Sequence, residues 1–186
     1  MNESIGLSNL KEQLLDPLLM YVGMKLDNYR YYDVMDEEYL ITNNKGVDII
    51  GHQLELKFEN NQSMFVGWES VEGWLQYSLC VSNKSFCRDV PKFIKQDDNW
   101  KRILGLRLTG FEVYGFIENK NYPTTYYYEP HLLVLKFDNE HVLGVGNFSS
   151  EDNFTPKIAY GDDIWIIFGW TSINFCINQL ALEMLN

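Results

Sequence analysis

The feature that most constrains this chain is a stretch that occurs twice. Residues 52–68, His-Gln-Leu-Glu-Leu-Lys-Phe-Glu-Asn-Asn-Gln-Ser-Met-Phe-Val-Gly-Trp, align without gaps to residues 131–147, His-Leu-Leu-Val-Leu-Lys-Phe-Asp-Asn-Glu-His-Val-Leu-Gly-Val-Gly-Asn. Eight of the 17 positions are identical: His52/His131, Leu54/Leu133, Leu56/Leu135, Lys57/Lys136, Phe58/Phe137, Asn60/Asn139, Val66/Val145 and Gly67/Gly146. In each copy three apolar residues recur at every second position, the period of a strand with one face buried. A polar quartet follows, Glu59-Asn60-Asn61-Gln62 or Asp138-Asn139-Glu140-His141, and then a return strand, so each copy reads as a β-hairpin. An ancient duplication giving two related sheet halves explains the shared Lys-Phe-acid-Asn order. Convergence of two Asn-turned hairpins is the competing explanation, and two copies are too few for a solenoid.

Around these hairpins the texture is mixed. Ser8 is suited to cap a helix carrying Leu10, Leu14 and Leu15 on one face, and Asp16-Pro17 reads as a stop and restart into a second short helix through Leu18, Leu19 and Val22. From Tyr29 the aromatic and β-branched residues favour extended pairing. Ile103–Leu108 and Phe111–Ile117 read as strands with a bend or bulge at Thr109-Gly110. The polar stretch 91–99 reads as an exposed connection. Asp163–Phe168 is a nearly continuous apolar run, as in a strand buried on both faces. Ser172–Leu185 suits a closing helix with Ile177, Leu180, Ala181 and Met184 inward. The expected fold is α+β and predominantly antiparallel β. Two related hairpin units would lie in a sheet, sandwich or open barrel, with a short N-terminal helical segment and a C-terminal helix. One domain spans 1–186, with halves at about 30–90 and 100–170.

Charge limits the partners. Lys and Arg number 15 against 26 Asp and Glu, a formal net charge of −11 at a sequence pI near 4.6. Such a surface repels nucleic-acid phosphate and anionic membrane alike. No basic leader and no run of about 18 apolar residues is present, so a cytoplasmic location is expected. Cys80, Cys87 and Cys176 match neither a zinc ribbon nor a Cys-x-x-Cys site, and buried free thiols are the simpler expectation. Cys87 stands beside Arg88, a cation able to lower a thiol pKa. His52, His131 and His141 lack a ligand motif, Gly144-Val145-Gly146 lacks the context of a phosphate loop, and no cofactor or metal is expected. The carboxylate pairs Asp97-Asp98 and Glu151-Asp152 read as solvated loop charge. Asp162-Asp163, preceding a buried strand, falls at a sheet end.

Trp100-Lys101-Arg102-Ile103-Leu104-Gly105, the segment Leu132 to Asn139, and Tyr160-Gly161-Asp162-Asp163-Ile164-Trp165-Ile166-Ile167-Phe168 together resemble small acidic immunity-type proteins of bacterial polymorphic-toxin systems. The resemblance covers roughly residues 100–168 and implies a non-enzymatic protein that binds and blocks a toxin. It implies no individual binding residue. From charge and aromatic content, Asp33, Asp36, Glu37, Glu38, Tyr126, Tyr127, Tyr128, Asp162 and Asp163 are the candidate partner-binding residues, facing a basic toxin or effector. Two other functions compete. One is a small-ligand-binding β domain whose Trp68, Trp74 and Trp100 line a pocket between the repeats; the other is a hydrolase using paired carboxylates or Cys87.

Overall fold

Two hairpins of the same pattern form two sheets that share one core. In this computed structural model, residues 10–32, 41–43, 46–70, 77–86, 98–120, 125–149, 154–158 and 163–185 are described. A π-helical turn at Lys11–Leu15 runs without a break into α1 (Asp16–Leu19), which carries Pro17, so the stop expected at Asp16-Pro17 is absent and the helix ends at Leu19, short of Val22. The strands that follow are β1 (Leu26–Tyr32), β2 (Ile41–Asn43), β3 (Val47–Ile50), β4 (Gln53–Phe58), β5 (Gln62–Ser70) and β6 (Tyr77–Ser82). After α2 (Asp98–Ile103) come β7 (Leu108–Lys120), β8 (Thr125–Phe137), β9 (Val142–Ser149), β10 (Lys157–Ile158) and β11 (Asp163–Phe168). The helix α3 (Trp170–Leu180) and β12 (Glu183–Met184) close the chain.

The smaller sheet has the order β1-β4-β5-β6, and the larger has β12-β7-β8-β9-β11-β3-β2, with β10 on β9. All these pairings are antiparallel. The two hairpins have the same register. Leu54 faces Val66 and Leu56 faces Met64, as Leu133 faces Val145 and Leu135 faces Leu143. Each turns through a short 3₁₀ segment with two left-handed residues, Asn60 and Asn61 or Asn139 and Glu140.

The equivalence extends well beyond the hairpins. β1 lies on β4 as β7 lies on β8: Leu26 opposite Phe58 and Leu108 opposite Phe137, each followed by one register shift, then Asn28 opposite Lys57 and Gly110 opposite Lys136. The Thr109-Gly110 bulge expected from sequence thus has a counterpart at Asp27. On the far side Val81 pairs with Val66 and Ile166 with Val145. Each unit is therefore a helix followed by four paired strands, α1-β1-β4-β5-β6 and α2-β7-β8-β9-β11.

The units meet at a local two-fold. Lys25 bridges Arg107, its own counterpart. Four backbone hydrogen bonds surround that bridge: Gly23 N to Leu108 O at 2.7 Å and Gly105 N to Leu26 O at 2.7 Å, with Leu26 N to Leu106 O and Leu108 N to Met24 O both at 2.9 Å. Exchanging counterparts maps this set onto itself. Gly23 and Gly105 have φ of +93° and +82°, which lets the chain leave each helix and turn into its strand.

The core between the sheets joins Tyr29, Leu54, Leu56, Phe58, Met64 and Val66 to Val113, Leu133, Leu135, Val145, Ile164 and Ile166. A second cluster covers the other face of the larger sheet, where Ile173 and Cys176 of α3 pack over Leu132, Val134, Val142, Trp165 and Ile167. β11 is thus buried on both faces, as its apolar run predicts. A Cβ on Gly144 would lie 3.0 Å from Ile173 Cγ1, so this glycine serves close packing of α3.

Two further expectations are corrected. Ile103–Leu108 is not a strand: Asp98–Ile103 is helical, Leu104 and Gly105 turn, and β7 begins at Leu108. This helix also occupies Asp98 and Asn99, the end of the stretch expected as connection. The closing helix begins earlier and ends sooner than expected, because Ala181 adopts the left-handed conformation (φ +51°). Its buried residues are Ile173 and Cys176, while Ile177 and Leu180 are half-buried and Ala181 and Met184 exposed.

Candidate functional site

Of the nine residues expected to form a partner surface, Asp33, Asp36, Glu37, Glu38 and Asp162 lie outside the described residues, as do Trp74 and Cys87. Tyr126 and Tyr127 belong to β8, opposite Asn119 and Glu118. Tyr128 is half-buried and packs against the inter-sheet core. Asp163, half-buried, opens β11 opposite Phe148. Tyr128 and Asp163 share the end of the larger sheet remote from the Asp138–Glu140 turn. Trp100 is fully buried and stacked on Tyr29 with ring centroids 3.7 Å apart, and Trp68 also packs on the core.

Buried polar groups are the natural place to look for chemistry. Asp48 accepts a 2.7 Å hydrogen bond from Tyr31 Oη, which in turn accepts one of 2.6 Å from Trp100 Nε1. Burial, followed by the Asp48 charge, holds the Tyr31 phenol well above its ordinary range, so Tyr31 stays protonated and donating. On the outer face of the smaller sheet, Glu55 accepts from Tyr32 Oη at 2.9 Å and Ser63 Oγ at 2.6 Å, with Arg30 at 3.7 Å. Gln53 beside it donates to Ser85 Oγ and accepts from Phe86 N. Gln53, Glu55 and Ser63 occupy the positions that Leu132, Val134 and Val142 hold beneath α3. Both networks are bonded internally and serve as ties between elements.

The described thiols are poorly suited to nucleophilic work, since burial pushes Cys80 and Cys176 up to about 12. His131 is buried 3.9 Å from Glu129, at the register shift between β7 and β8. Among the described residues no group of three or more His, Cys, Asp or Glu is placed to hold a metal ion, and no helix is long and apolar enough to cross a membrane.

Accessible concavity lies elsewhere. A cleft of about 330 Å³ opens between α1 and β6, with Pro17, Met20, Tyr21 and Val81 as its apolar walls and Glu12 and Asp16 at its rim. Tyr21 is anchored as its floor by a 2.7 Å hydrogen bond to Ser63 O and by ring contact with Phe58. The second unit has a counterpart of about 140 Å³ between α2 and β11. There Asn99, Arg102, Ile103 and Phe168 stand where the first has Pro17, Met20, Tyr21 and Asn83. Beside the first cleft Leu19, Met20 and Val22 are exposed by 60%, 56% and 39%.

Sequence reasoning placed Leu18, Leu19 and Val22 on a short helix without assigning any of them to a surface. The signal was present: Leu18-Leu19-Met20-Tyr21-Val22 is five apolar residues in a row, more than one helical face can bury. Leu18 and Tyr21 are buried, and the other three are exposed, Met20 at the wall of the cleft. Searched against protein-family models, curated proteins and solved structures, the chain matches none of them.

Proposed function

We propose that this chain is a non-enzymatic, cytoplasmic protein-interaction module of the immunity type, which binds and neutralises a basic toxin. The observation that carries the proposal is the exposed lip of Leu19, Met20 and Val22 beside Glu12 and Asp16, on a chain of net charge −11. Interfaces combine a desolvated apolar centre with a charged rim, and the rim here has the sign that attracts a basic protein. Exposed apolar side chains at the end of a helix and in the turn after it cost solubility unless something covers them.

The test is affinity capture from cells that make the protein, comparing wild type with a Leu19→Ser, Met20→Ser double variant. A single basic protein retained by wild type, lost with the variant, and associating roughly tenfold more slowly at about 0.5 M salt supports the proposal. An acidic partner, or a partner bound equally by both proteins, refutes it.

A further inference from the structure

We draw no further inference here: the strongest candidate, the cleft of about 140 Å³ between α2 and β11 lined by Arg102, His141 and the N-terminus of α3, rests on a helix N-terminus and surface side chains, with no second observation among the described residues that points to a ligand.

Discussion

Trp100, Tyr31 and Asp48 come from a helix and from strands of both sheets, and one phenol joins them. Tyr31→Phe removes that hydroxyl while leaving the ring, so two buried hydrogen bonds go at almost no change in volume. A loss of about 1–3 kcal/mol in urea unfolding is expected, because a carboxylate and an indole N–H both lose a buried partner. Ionisation carries a second expectation. Tyr32 and Tyr114 are pushed up to about 12, first by burial and then by Glu55 and Glu112; burial does the same to Cys80 and Cys176. These groups hold their protons more tightly folded than unfolded. Their contribution to stability is therefore whole below about pH 9 and lost as pH rises through about 12. The urea midpoint should decline progressively from pH 9 to pH 11.5, and a flat profile over that interval would contradict the assignment. In a separate urea series at pH 8, iodoacetamide should leave Cys80 and Cys176 unlabelled until the protein unfolds.

Both hairpins depend on asparagine in a conformation most residues avoid: φ is +64° at Asn60 and +58° at Asn139. Asn60→Ala or Asn139→Ala should each cost about 1 kcal/mol, whereas glycine at either position should be nearly neutral; equal effects of Ala and Gly would argue against strain at the turn. These elements were legible because alternation and turn chemistry are local. Their extension into whole units was not. Counterparts are offset by 82 residues from α1 through β1, by 79 in the hairpins and by 85 in the last strand, so any ungapped comparison breaks at each connection. Packing also substitutes unlike residues at like places: Leu18 where the twin has Trp100, and Gln53 where it has Leu132. Helix α2 was missed for another reason. Six residues are too few to separate a period of 3.6 from one of 2, and Ile103 at its end was read into the strand beyond. At the candidate site the sequence drew attention to clustered acids, but the cleft is made by an aspartate and a few apolar residues whose meaning depends on β6, more than 60 positions away.

At the scale of the molecule the inter-sheet core draws on both units in one contiguous cluster, and the Lys25–Arg107 junction adds backbone hydrogen bonds in both directions. Unfolding should accordingly be a single transition, with tryptophan fluorescence and far-ultraviolet circular dichroism coinciding in urea; separate midpoints would mean that the units melt independently. One connection departs from the two-fold. β3, which belongs to the first unit by sequence, pairs not within its own sheet but with β11 of the second, Ile50 opposite Ile164. A chain emerging from a ribosome at about 5–20 residues per second makes β3 long before the strand that receives it. The partner position trails by 114 residues, so for something between about 6 and 23 seconds Val47-Asp48-Ile49-Ile50 has no native neighbour on that edge, and Asp48 waits in a sheet that does not yet exist. Synthesis therefore cannot finish one half and then the other; the first half is completed only when the second has almost been made.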